Sequence, residues 1–250
     1  MMQSLGPGWL QQTPRIGTML TIASGETAEV IAGCGFDWLF LDGEHGSLET
    51  ADLRQMIQAV SGRCHCLVRI PALSAVPIAK ALDLGAAGII VPQVNTAEQA
   101  TRAVAYCNYP PQGTRGIGLA RAHGYGATFD EYVGTANDQV LTVIQVEHID
   151  AVENLESIVS VPGIDCIFVG PYDLSASLGL TGQVDAPPVT EAIARVEQIC
   201  RGRQMPLGVF GIDADAVAPY LERGYQLICA GIDSVLLRSA ALRMVRQLSP

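Results

Sequence analysis

The fold class that this sequence predicts is α/β, a (β/α)8 barrel built from residues 1–250 as a single domain, and three observations predict it. Eight short apolar runs recur along the chain, each flanked by Gly or Pro and mostly without alternation, which is how parallel strands buried on both faces read. Between them the apolar residues change to helical spacing. No Ser/Pro-rich linker or break in composition divides the 250 residues, so repeated strand–helix units favour one closed barrel over an open doubly wound sheet.

In chain order the strands are expected at IGTMLTI (16–22), DWLFLD (37–42), CLVRI (66–70), GIIVP (88–92), VLTVIQVE (140–147), CIFVG (166–170), PLGVFG (206–211) and LICAG (227–231). Leu53, Met56, Ile57 and Val60 then keep i, i+3, i+4, i+7 spacing, as do Val152, Leu155 and Val159, and later Val189, Ile193, Val196 and Cys200. Ser24, Ser47, Asn95 (with Glu98 three residues on), Asp150 and Asp213 mark helix starts, because their side chains accept from unpaired first-turn amides. Gly33 or Gly35, Gly85 and Gly224 mark helix ends. GFDWLFLDGE, GAAGIIVPQV, GIDCIFVGPYD and GYQLICAGID share a glycine-led turn, a buried strand and a polar turn, the trace of a repeated unit. The last helix carries Leu237, Ala240, Ala241, Met244 and Leu248 on one side, to cap this barrel or to pack on a neighbouring subunit.

Composition narrows the function. With 49% apolar residues and 16% charged, the chain buries a large core. Its formal charge of −10 and the absence of any Lys/Arg run exclude a row of phosphates, hence nucleic acid, as a partner. Lys80 is the one lysine and sits within a helical stretch, away from any strand end, so imine chemistry is disfavoured. Seven cysteines scattered through apolar stretches read as reduced thiols of a cytoplasmic protein rather than a disulfide framework. Neither a leader nor a membrane span is expected.

Barrel chemistry sits where strands end. Those positions hold Asp42, Glu44 and His45 after the second strand, Arg69 ending the third, Gln145 and Glu147 ending the fifth and Asp173 beyond the sixth. Glu147 and Asp173 are hard oxygen donors suited to Mg2+ or Mn2+ with positions left open for a chelating substrate; the competing reading is that each caps the helix after it. His45, in the glycine-flanked turn LDGEHGS, is the natural proton carrier, with Asp42 placed to fix its tautomer; the alternative is a surface-loop histidine. Arg69 interrupts an apolar run and needs an anion, either a substrate oxygen or an internal partner among Asp42, Glu44 and Glu147. His65 falls at the opposite end of the barrel. Cys64 and Cys66 lack a second thiol pair at zinc-site spacing. GTRGIG (113–118) is expected to lie over the mouth, with Arg115 and Arg121 facing the far end of an anionic substrate or forming surface ion pairs.

From about residue 15 to residue 245 the chain resembles the metal-dependent class II pyruvate aldolases of the HpcH/HpaI group. The resemblance is carried by DWLFLDGEHG (37–46), LVRIP (67–71), LDLGAAGIIVPQV (82–94), PPQGTRGIG (110–118), IQVEHIDAVEN (144–154), GIDCIFVGPYDLSASLG (163–179) and GIDSVLL near the end. It implies that His45 is the general base, with Asp83, together with Asp42, raising its basicity. It implies that Arg69 stabilises the pyruvate enolate and that Glu147 and Asp173 hold the divalent ion, Mg2+ or Mn2+ foremost and Co2+ or Zn2+ besides. Gln145 would contact substrate, and the backbone of Tyr172 and Asp173 the pyruvate carboxylate. It further implies a hexamer with exchanged C-terminal helices. Tyr172 stands where many relatives carry a small residue, and Ala122-His123-Gly124-Tyr125 departs from a Ser-Arg-Trp-like continuation; both bear on the acceptor pocket. The expected reaction is reversible cleavage of a 4-hydroxy-2-oxo acid to pyruvate and an aldehyde. A citryl- or malyl-thioester lyase and a non-catalytic oxo-acid-binding barrel are the rivals.

Overall fold

A computed structural model describes residues 5–11 and 13–249. Its eight strands are β1 (Arg15–Leu20), β2 (Trp38–Asp42), β3 (His65–Arg69), β4 (Gly88–Val91), β5 (Leu141–Val146), β6 (Cys166–Val169), β7 (Leu207–Gly211) and β8 (Leu227–Ile232). All pair in parallel in sequence order, and β8 returns to β1, closing the barrel. The helices are α1 (Gly25–Ala32), α2 (Thr50–Val60), α3 (Ala75–Asp83), α4 (Ala97–Cys107), α5 (Phe129–Gln139), α6 (Ile149–Glu153), α7 (Leu155–Ile158), α8 (Pro171–Ser177), α9 (Pro187–Gly202), α10 (Ala214–Glu222) and α11 (Asp233–Leu248). Each expected strand is present to within two residues at either end.

Two apolar layers hold the barrel. Inside it, Trp38, Phe40, Leu67, Ile90, Val143, Phe168 and Cys229 fill the lumen, and the large rings fit because strand glycines face them. A Cβ at Gly17 would lie 2.5 Å from the Trp38 ring, and one at Gly208 would lie 2.5 Å from that of Phe168. Outside, the other side of each strand packs on the helices through residues such as Leu39, Val68, Ile89, Ile144 and Ile167. Asp233, at the start of α11, accepts from the backbone N–H groups of Thr21 and Ile22 and from the Thr21 hydroxyl, and so ties the end of the last strand to the end of the first.

Helix starts follow the expected chemistry with small displacements. Ser24 and Asp213 cap α1 and α10. α2 starts after Glu49, whose reciprocal bonds with Asp52 replace a Ser47 cap, because residues 43–46 are first used in a turn that folds onto Asp42. Thr96 and Gln99 form the capping box of α4, one residue beyond Asn95 and Glu98. His148 rather than Asp150 caps α6. The crossover from β4 to β5 holds a helix, α5, that the apolar spacing did not show.

One expectation is corrected, and one choice that the sequence left open is decided. The 113–118 segment is at the base of the barrel and not over its mouth: Thr114 and Arg115 donate backbone bonds to Ala105 and Asn108 at the end of α4, and helices run back to the strand-start face. α11 does not cap its own barrel, since Leu237, Met244 and Leu248 are 66%, 63% and 80% exposed and Asp233 is its one buried residue. The seven cysteines are unpaired, six of them buried. No described helix is long and apolar enough to cross a membrane.

Candidate active site

The strand ends collect a polar cluster around a cavity of about 340 Å3. β2 and β3 are paired in register so that Asp42 and Arg69 are direct neighbours. Arg69 Nε and Nη2 donate to the two Asp42 carboxylate oxygens at 2.9 and 2.8 Å, a buried bidentate pair. Asp42 also accepts from the backbone N–H groups of Glu44 and His45, which shapes the turn carrying both side chains. Burial pushes the Asp42 carboxyl up, but the guanidinium and the turn amides outweigh it and hold the group below its ordinary value.

Beside this neutralised pair lie carboxylates without an equal counter-charge. Glu44 approaches Arg69 Nη1 at 3.2 Å, and its Oε2 is buried without a hydrogen bond. Burial, with Asp42 and Asp173 nearby, raises its carboxyl. Glu147, only 2% exposed, accepts from the Gln93 backbone N–H at 2.8 Å and from Gln145 Nε2. Its carboxyl is nonetheless pushed up to about 7, mainly by burial, with Glu44 and Asp173 adding to the rise. Gln93 holds its N–H there in a left-handed backbone, φ 55°, which costs a non-glycine residue about 1 kcal/mol. Gly170 lets the end of β6 approach: a Cβ there would lie 3.0 Å from that of Glu147. Pro171 then opens α8, whose first turn presents Tyr172 and Asp173 to the cavity with amides that have no helical acceptor.

The sequence-expected residues are thus divided. Asp42, His45, Arg69, Gln145, Tyr172 and Asp173 line one cavity, and Glu147 touches its wall through Gln145 and Gly170. Two pairings with His45 are corrected. Asp42 is committed to Arg69, and the carboxylate facing the imidazole is Glu44, at 3.8 Å from His45 Nε2. Asp83 is not at the mouth of its own barrel: it ends α3 at the base, where Arg115 Nη2 binds it at 2.8 Å. Arg121 is also at the base, bonded to the Leu84 carbonyl, so neither arginine reaches this chain's cavity. His65 starts β3 at that same face against Trp9, and Lys80 is exposed on α3.

Some participants escaped the sequence reading. Gln93 follows a proline in a stretch with no polar pattern, and its role lies in its backbone. Met19, Phe210 and Ile232 form an apolar wall of the cavity, and in the sequence they are indistinguishable from core strand residues.

Residues 15–240 match the family model described as HpcH/HpaI aldolase/citrate lyase. The chain belongs to this family. Among family relatives, a 4-hydroxy-2-oxovalerate aldolase of Rhodococcus jostii is 40% identical over 225 residues, 89% of this chain and 87% of the relative. A 2-dehydro-3,6-dideoxy-6-sulfogluconate aldolase of Pseudomonas putida is 40% identical over 233 residues, 92% of this chain and 91% of the relative. The crystal structure of a HpcH/HpaI aldolase/citrate lyase family protein from Burkholderia cenocepacia superposes with a TM-score of 0.94 at 34% identity, covering 98% of both chains.

Proposed function

We propose that this cavity performs the reversible aldol cleavage of a 4-hydroxy-2-oxo acid with His45 as base, Arg69 as stabiliser of the enolate and Glu147 with Asp173 as holders of a divalent cation. The protein is a carbon–carbon lyase of the aldolase kind, cleaving hydroxy-oxo acids to pyruvate and an aldehyde. The observation that carries the residue assignment is the charge imbalance: around one guanidinium stand Asp42, Glu44, Glu147 and Asp173, and only Asp42 is fully paired.

The residues present fit a cation. Glu147 is raised to about 7 by burial beside other carboxylates, and Gln145 Oε1 is a buried oxygen with no donor. Hard oxygen donors suit Mg2+ or Mn2+, with Co2+ or Zn2+ as alternatives. When bound, the ion supplies Lewis-acid polarisation of the C2 ketone and offsets the negative charge of the site. The protein supplies the rest. The first-turn amides of Tyr172 and Asp173 receive the C1 carboxylate, and Gln145 lies against the oxo-acid head. His45, at the rim with a side chain 65% exposed, takes the C4 hydroxyl proton. The C3–C4 bond then breaks, its electrons pass to C3 and the C2 oxygen, and the aldehyde carbonyl forms at C4. Arg69 keeps N–H groups not used by Asp42 for the developing oxyanion, and its own geometry is fixed in advance by that pair. Protonation at C3 completes pyruvate.

Unpaired thiols fit a reducing compartment, and the bare apolar side of α11 fits packing against a neighbouring copy in a homo-oligomer, a hexamer by resemblance. Pyruvate release from a 4-hydroxy-2-oxo acid, followed with and without EDTA, tests the reaction. Turnover is expected to vanish with the chelator and return with Mg2+ or Mn2+. His45→Ala is expected to slow it by roughly 10²- to 10⁴-fold while cation binding persists. EDTA-resistant turnover, or a His45→Ala enzyme as fast as the parent, overturns the assignment.

A further inference from the structure

We infer that the aldehyde partner in this reaction is neutral and apolar, selected by a wall formed by Met19, Tyr172, Phe210 and Ile232. The inference rests on the aldolase reading above and names the acceptor class of that same cavity. Once Arg69, Gln145, Asp173 and the first turn of α8 are assigned to the oxo-acid head, the lining that remains for the aldehyde substituent is mostly carbon. Tyr172 and Phe210 lie with ring centroids 6.3 Å apart at 51°, a continuous aromatic surface from the first turn of α8 to the end of β7. Tyr172 is 41% exposed, so the wall reaches the rim, where an entering substituent first meets the protein.

Two polar groups of the lining, Arg69 and Thr21, argue the same way. Arg69 is the one Lys or Arg side chain lining the cavity among the described residues, and it is bidentate to Asp42 with Glu44 at 3.2 Å. A carboxylate on the aldehyde would therefore enter beside Asp42, Glu44 and Asp173 with no free cation to receive it, and an unpaired charge out of water is strongly disfavoured. Thr21, the aliphatic hydroxyl of the lining, donates to Asp233 at 2.9 Å. A polyhydroxylated chain would thus lose water at the wall and find few partners. Methylene and aryl groups gain there instead, at up to tenfold or more in kcat/KM for each group buried.

The test is synthesis with pyruvate as donor in the presence of Mg2+, measuring kcat/KM for butanal, benzaldehyde, succinic semialdehyde and glyceraldehyde. Butanal and benzaldehyde are expected to exceed the other two by at least tenfold. Phe210→Ala is expected to raise KM for butanal about tenfold or more, while Phe210→Leu keeps the preference and shows that apolar volume is what matters. Succinic semialdehyde or glyceraldehyde matching butanal overturns the inference, as does a Phe210→Ala enzyme with unchanged KM. Exchange of pyruvate C3 protons in deuterated buffer, which needs the enolate but no aldehyde, separates the two levels. Exchange without apolar preference removes this inference alone, and no exchange removes the aldolase reading with it.

Discussion

Both ends of the barrel pair a buried arginine with an aspartate at 2.8 Å, and the two pairs keep very different company. At the base, Arg115 and Asp83 balance one another, with the guanidinium 4.5 Å from the centroid of Tyr109 and 5.8 Å from that of Tyr132. At the mouth, Arg69 and Asp42 are joined by Glu44, Glu147 and Asp173, so the local sum is strongly negative. A balanced pair under aromatic rings fixes a loop. An unbalanced cluster, in which burial drives Glu44 and Glu147 toward protonation, stores a demand for positive charge. Burial alone does not separate these cases, because both guanidiniums are nearly inaccessible; the count of opposing charges does.

The largest effect that sharpens this comparison is expected at Glu147. Glu147→Gln removes a donor for the cation and should cut pyruvate release by about 10³-fold. It should not destabilise the metal-free protein at pH 8. The parent there holds a buried carboxylate whose protonation midpoint is about 7, so ionising it opposes folding. The new amide oxygen accepts from Gln93, and its NH₂ meets a Gln145 side chain that can turn its unpartnered oxygen inward. Thermal melts in EDTA check this. A marked fall in Tm would mean that Glu147 is a structural carboxylate and that the mouth is not a strained cluster.

A smaller effect divides the two arginines. Arg115→Lys keeps the charge and loses the planar fork that reaches both Asp83 and the Tyr132 hydroxyl, with its ring stacking, so it should cost about 2–4 kcal/mol of stability in urea unfolding and leave kcat/KM within twofold. Arg69→Lys should lose stability too, but also about 10²-fold or more in kcat, since the lysine has no planar fork to hold Asp42 and an oxyanion together. Equal losses of turnover would erase the distinction between the ends.

What the residue pattern conveyed follows the same division. The eight strands were legible because strands buried on both faces carry few charged or amide side chains, so one near a carboxyl end, such as Asp42, Arg69 or Gln145, marks that end. Pairing was not legible. Asp42 lies three residues from His45 and 27 from Arg69, yet the β2–β3 register gives its carboxylate to Arg69. The segment around Arg115 looked like a glycine-rich cover for the mouth because glycine marks freedom of the backbone and not the end of the barrel to which it is applied. Helix α5 was missed because Ala136 is its one buried residue, which leaves no stripe to read. Gln93 acts through an N–H that every non-proline residue has.

The smallest effect belongs to the base. Asp165, just before β6, accepts from the Thr142 backbone N–H at 2.7 Å, and burial pushes its carboxyl up to about 6 from an ordinary value of 3.8. The folded protein therefore holds this proton more tightly than the unfolded chain, and the stabilisation is complete below about pH 4 and lost as pH rises to about 6. Asp165→Asn keeps an oxygen for Thr142 and cannot ionise, so the difference in Tm between variant and parent, measured in EDTA, should grow in the variant's favour across that interval and stay level above it. The aldolase rate should follow the parent throughout, because Asp165 is at the strand-start face. A difference that grew instead near pH 7 would point to the mouth carboxylates as the groups being titrated, and the base could no longer be treated as electrostatically separate from the site.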